Sequence, residues 1–137
     1  MTAINERQAL SRSSAQVWAL CTADAALLAA SGAIHLHLWD TAYQHVKTLG
    51  PLFLVQVIAA FVIAIALVAT RQLLVVAAAG LLMAGTIVGF IAVRTHGLFG
   101  FKLPFTSGEA WAVLVIEIAG VILTAFTCWL MTRPQRS

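Results

Sequence analysis

The sequence predicts an all-α protein, a four-helix bundle whose helices cross a membrane. Three observations carry this. Of 137 residues, 61% are hydrophobic and 9% charged, where a soluble domain carries roughly a quarter charged residues. A chain this short also has a high surface-to-volume ratio, so in water much of its apolar surface would remain exposed. Finally, the apolar residues gather into four runs, each close to the ~20 residues an α-helix needs to cross a hydrocarbon core of about 30 Å.

The elements follow in chain order. Residues 1–15 contain Arg7 and Arg12 and no long apolar core, and the next segment carries Asp24 without a signal-peptidase site. A short cytoplasmic segment ahead of an uncleaved first helix is expected. That helix, over 17–38, is alanine-rich and includes Asp24, Ser31, Gly32, His35 and His37. A half-polar helix crosses when its polar side faces other helices. Ser13 with Gln16 reads as a capping box opening it. The second span, 51–70, is broken only by Gln56 between Leu52 and Ala69. It opens at Gly50-Pro51, where the missing proline N–H costs nothing. Thr70-Arg71-Gln72 alone separates it from the third span, 73–94. Those two spans are expected to form a tight antiparallel hairpin. Gly85 and Gly89 have the GxxxG spacing that lets helix backbones meet, and are read as closing the hairpin against a neighbour in preference to driving dimerisation, with both readings open. The fourth span, 109–131, holds Glu117, Thr124 and Thr127 and opens at the capping box Thr106–Glu109. The result is a single transmembrane domain, 16–132, followed by a cytoplasmic tail at 133–137, with no internal repeat.

Orientation follows from Lys/Arg bias. Arg7, Arg12, Arg71, Arg133 and Arg136 fall on one side, and Lys47, Arg94 and Lys102 on the other. This predicts a multi-pass protein of the plasma (inner) membrane with both termini cytoplasmic and the segments 39–50 and 95–108 external. Trp18, Trp39, Trp111 and Trp129 lie near span ends, as an interfacial belt requires. The net charge of +3 is scattered between apolar runs, so there is no basic patch for nucleic acid. The partners implied are the lipid bilayer and, beyond it, a membrane-protein partner or a second copy of the chain.

An ionisable residue within a span is expensive, which singles out Asp24 and Glu117. Asp24, Ser31 and His35 share a helix face, being seven and four residues apart; Glu117, Gly120, Thr124, Thr127 and Cys128 form a similar stripe. Measured from the external end, His35 lies about one turn down, Gln56 and Thr86 one to two turns, and Glu117 about two. These four are the candidate binding cluster, one side chain from each span. Asp24 is roughly 16 Å of helix rise from His35 and is outside it. The plainer reading of the cluster is mutual hydrogen bonding between helices, at about 0.6–2 kcal/mol per bond; the two readings weigh evenly. For Asp24 the structural reading is preferred.

His35, His37, His45 and His96 all fall toward the external side. That suggests a divalent metal or haem held by His35, His96 and His45, although no cofactor is the default. His35 and His37 are two apart and point to different sides of a helix. The spacing from His35 to Asp40 is similar to a nickel-transporter motif, but Thr41 stands where a second His belongs. A haem between His35 and His96 would place Arg94 near a propionate, yet electron transfer across a membrane also needs histidines on the inner side. Cys21 and Cys128 form no CxxC pair of the kind quinone-linked disulfide enzymes use, and read as buried thiols. No catalytic constellation and no nucleotide-binding loop is present, so the reading leans away from an enzyme.

The stretch from Gly32 to Trp39, with Tyr43, Leu49–Leu54, Gly97–Phe101 and a final helix with an internal Glu, resembles small four-span membrane proteins of actinobacteria. The resemblance implies four helices and draws attention to His35, Tyr43 and Glu117; it implies no reaction. Small multidrug exporters match less well, sharing only length and a first-span acid. Three functions remain in play: an accessory, structural, lipid- or protein-binding membrane component; a metal- or haem-binding protein; and a proton-coupled carrier using Glu117 or Asp24.

Overall fold

The computed structural model describes residues 2–97, 100 and 108–133, with side chains from Ser14 onward and at Ile4. Four helices account for most of them: α1 (Thr2–Leu38), α2 (Leu49–Thr70), α3 (Leu73–Thr95) and α4 (Gly108–Thr132). All four are long and apolar enough to cross a membrane.

Helix α1 begins well before the expected capping box, so Ser13 and Gln16 lie inside it. The physical reason is local. The segment from Thr2 to Ala15 contains neither Gly nor Pro and is rich in Ala, Leu, Glu, Gln and Arg, which propagate a helix rather than start a new one. At its other end α1 widens into a π-helical segment, Trp39–Tyr43, where the Gln44 N–H bonds to the Trp39 carbonyl at 2.8 Å. The wider turn rotates Tyr43 inward, and it is buried.

Helix α2 starts at Leu49, so Pro51 falls in its first turn as expected, and Thr48 makes no side-chain cap. A Cβ on Gly50 would sit 2.7 Å from the Tyr43 carbonyl oxygen and 2.9 Å from that of Gln44. Only a glycine lets α2 start this close to the π-helical segment. The α2–α3 link is two residues long, with Arg71 left-handed at φ 51° and Gln72 extended.

The helices form a ring in which α1 packs closely on α2 and α4, and α3 on α4. The α2–α3 pair is the loosest of the four neighbours, and among the described residues the α2 and α4 backbones lie across the ring from each other. The apolar core, including Cys21, Leu28, Ala60, Leu67, Val76 and Met83, lies toward the end that bears the chain termini. There α2 and α3 meet. Toward the far end they diverge, so the expected tight hairpin is tight only at its link.

The glycines explain the divergence. A Cβ on Gly85 or Gly89 would have no neighbour within 4 Å, so this GxxxG pair closes nothing. The close approaches belong instead to Gly80, whose Cβ would stand 2.7 Å from Thr124 Oγ1, and to Gly120, whose Cβ would collide with Met83 Sδ. Small residues bind α3 to α4 at those points. On the outside the bundle presents large apolar side chains, with Leu74 79%, Leu81 74% and Ile65 70% exposed. Helices long and apolar enough to cross a membrane thus carry large apolar side chains on their outer faces.

Candidate functional site

The gap between the diverging helices is a cavity of about 370 Å³ in the far half of the bundle. All four members of the expected cluster line it: His35 from α1, Gln56 from α2, Thr86 from α3 and Glu117 from α4. Its other walls are mostly apolar, among them Leu49, Phe53, Gly85, Phe90 and Val113. Leu52 and Leu81, on α2 and α3, are part of the lining and yet 47% and 74% exposed. The cavity therefore opens sideways between those two helices.

The polar groups are organised from α1 and α4, whose small-and-polar stripes face each other. Asp24, Ser31 and His35 on one, and Glu117, Gly120, Thr124 and Thr127 on the other, are all buried. Ser31 Oγ donates to Glu117 Oε1 at 3.0 Å. His35 Nδ1 lies 2.9 Å from the Ser31 carbonyl oxygen and 3.4 Å from its hydroxyl. A carbonyl only accepts, so Nδ1 must carry a proton. In the neutral ring Nε2 then holds the lone pair. The chain of bonds runs His35 to the Ser31 backbone, then Ser31 side chain to Glu117, and it fixes the carboxyl at the cavity wall.

These bonds do not exhaust the polar groups. Glu117 is fully buried, and its Oε2 has no hydrogen-bond partner among the described residues; the same holds for the buried Nε2 of Gln56. Thr86 borders the Glu117 carboxyl, but its hydroxyl donates to the Leu82 carbonyl at 3.0 Å. Cluster members thus converge on one space, with Thr86 close to the Glu117 carboxyl, while Glu117 Oε2 and Gln56 Nε2 keep no hydrogen bond among the described residues. An unpaired buried polar group costs about 1–3 kcal/mol.

Aromatic rings form the wall on the far side. Tyr43 stacks on Phe53 with ring centroids 4.7 Å apart, and Phe53 is 5.4 Å from the His35 ring. Phe53 was not singled out by sequence, because one Phe in an apolar span looks like any lipid-facing residue. The π-helical turn that brings Tyr43 to it has no sequence mark either. Arg94 lies with its guanidinium 5.3 Å from the Phe90 ring centroid and does not line the cavity.

The remaining candidates stand apart. Asp24 is buried toward the end bearing the termini, where Thr127 Oγ1 lies 3.0 Å from Oδ2 and Oδ1 has no partner among the described residues. The Thr127 hydroxyl is also 2.9 Å from the Leu123 carbonyl. One hydroxyl proton serves one of these acceptors at a time, so the pair ties α1 to α4 at modest strength. His45 and His96 are exposed, while His35 is buried. Among the described residues no three His, Cys, Asp or Glu side chains are grouped to hold a metal ion. Cys21 is buried and Cys128 half-buried, and both are free thiols.

Glu109 was expected to cap α4 with Thr106, which lies outside the described residues. Its Oε1 is 3.5 Å from His37 Nε2, and both side chains are more than half exposed. This contact joins the far ends of α1 and α4. A double-mutant cycle with His37→Ala and Glu109→Ala, read by thermal unfolding, is expected to give a coupling of no more than about 1 kcal/mol, as for other exposed ion pairs.

No protein-family model, no curated protein and no solved structure matches this chain.

Proposed function

We propose that this chain is an integral membrane protein that holds an amphipathic membrane molecule in the cavity between α2 and α3. One observation carries the reading: a mostly apolar cavity is lined by residues with two buried polar atoms that have no partner among the described residues, Glu117 Oε2 and Gln56 Nε2. Had the cluster served packing alone, its members would pair with one another, since an open pairing is costly in an apolar setting. A bound head group supplies the missing partners. The apolar walls and the sideways opening suit a molecule that arrives from the bilayer.

In this reading the Lys/Arg bias puts both termini in the cytoplasm and the cavity in the outer leaflet half. The likeness to small actinobacterial four-span proteins agrees with such a setting. The activity is binding, as an accessory or carrier component, and Glu117, Gln56 and His35 are the residues that hold the head group.

The test is direct. Protein is purified from its native membranes in mild detergent, and the bound molecules are extracted and quantified by mass spectrometry. One amphiphile at near-stoichiometric amount, lost in a variant whose cavity is filled at Gly85 and Gly89, is the expected result. Equal lipid content in the two proteins would overturn the proposal.

A further inference from the structure

Resting on that reading, the cavity's hydrogen-bonding inventory narrows the ligand. Gln56 Nε2 is a donor and needs an acceptor. His35, with Nδ1 committed to the Ser31 carbonyl, carries its lone pair at Nε2, and its ring lines the cavity, where a donor can reach it. Glu117 Oε2 accepts from a donor when ionised, and donates when it carries the proton. A head group that only accepts, or only donates, leaves one of these unmet. A hydroxyl does both with a single atom.

Charge narrows it further. Among the described residues lining the cavity there is no Lys or Arg, while Glu117 is at the wall. A phosphate or carboxylate head would enter without a counter-charge and beside a carboxyl, a desolvation cost of several kcal/mol per ion. A cationic head would leave the Gln56 donor unmet.

Shape supplies the last constraint. Part of the cavity wall is built of rings, with Tyr43 stacked on Phe53 and Phe53 against His35. Flat rings pack on such a surface by offset or tilted stacking, worth about 0.5–1.5 kcal/mol beyond burial. Apolar residues along α3, including Leu82 and Gly89, continue the cavity beyond it and leave room for a tail.

We infer that the cavity takes an uncharged, hydroxylated aromatic ring bearing an apolar tail, the chemistry of a quinol or other tailed phenol, with the hydroxyl shared between Gln56 and the His35–Glu117 pair. Its oxidised counterpart, a quinone, has carbonyls in place of hydroxyls; these accept from Gln56 and from a protonated Glu117 but leave the His35 lone pair without a donor. The reduced form is therefore held more tightly.

The experiment varies the ligand and keeps the protein native. Binding of a decyl-substituted benzoquinol, its benzoquinone and its dimethyl ether is measured by equilibrium dialysis on the full chain in nanodiscs, with phosphatidylglycerol and oleate as competitors. The quinol is expected to bind about tenfold more tightly than the quinone or the ether, because each of these lacks the donor. His35→Phe, which keeps a ring and removes the lone pair, is expected to shrink that preference while leaving quinone binding in place. Equal affinity for all three ring compounds overturns the inference, as does stronger displacement by phosphatidylglycerol or oleate than by the quinol. In those outcomes binding is still lost from the filled-cavity variant, and the cavity remains an amphiphile site of another class. If every probe partitions equally into native and filled proteins, the binding reading falls with it.

Discussion

Replacing Gly85 and Gly89 together by leucine is expected to weaken amphiphile binding by about a hundredfold or more, with thermal unfolding unchanged or shifted upward. Both glycines line the cavity, and a Cβ at either meets nothing within 4 Å. Two leucine side chains would occupy the space the ligand's apolar portion uses. Burying one such side chain is worth about 1.5–3 kcal/mol, so losing the same contact from the ligand at two positions removes roughly 3 kcal/mol or more. At 1.4 kcal/mol per tenfold, that exceeds a hundredfold. Stability moves the other way, because leucine is favoured over glycine within a helix by about 0.8–1 kcal/mol and no neighbour is displaced. Binding isotherms and a melting curve on the same preparation check both halves. A destabilised double variant would mean the glycines pack after all.

Gly80→Leu, on the same helix and of the same kind, is expected to destabilise the bundle by about 3 kcal/mol. A Cβ there already stands 2.7 Å from Thr124 Oγ1 and 3.3 Å from Thr124 Cβ. Thr124 is buried, and its hydroxyl bonds to the Gly120 carbonyl at 2.9 Å, so it has nowhere to retreat except by pushing α4 away. Overpacking of this sort costs about 1–3 kcal/mol, and leucine places it at the upper end. Gly120, whose Cβ would strike Met83 Sδ, faces the same interface from α4. Chemical denaturation in mixed micelles, comparing Gly80→Leu with Gly85→Leu, is the sensitive measurement. Opposite signs are expected from substitutions five residues apart, and equal losses would contradict the described α3–α4 packing.

The separation of these two glycine classes marks where sequence reading stops. Gly85 and Gly89 have the helix-packing spacing and meet no neighbour within the chain, while Gly80 and Gly120 have no glycine four residues away and do. GxxxG states that two small residues share a face; which way that face turns depends on the neighbouring helices. Residues 13–16 teach a similar lesson. A capping box works only where the preceding chain is not helical, and that chain is helical here.

Hydropathy and the 3.6-residue period are properties of one chain segment, so the number of helices, their approximate ends apart from the start of α1, and the residues that share a face were legible in the sequence. From them alone Asp24, Ser31 and His35 could be set on one side of α1, and His35, Gln56, Thr86 and Glu117 at a common depth. It took the packed bundle to reveal that α2 and α3 part toward the far end, that Ser31 bridges His35 to Glu117, and that Glu117 Oε2 and Gln56 Nε2 have no partner among the described residues. These depend on the rotation and separation of helices about their axes. Many residues far apart in sequence set those quantities together, so no single window of the chain encodes the cavity they leave.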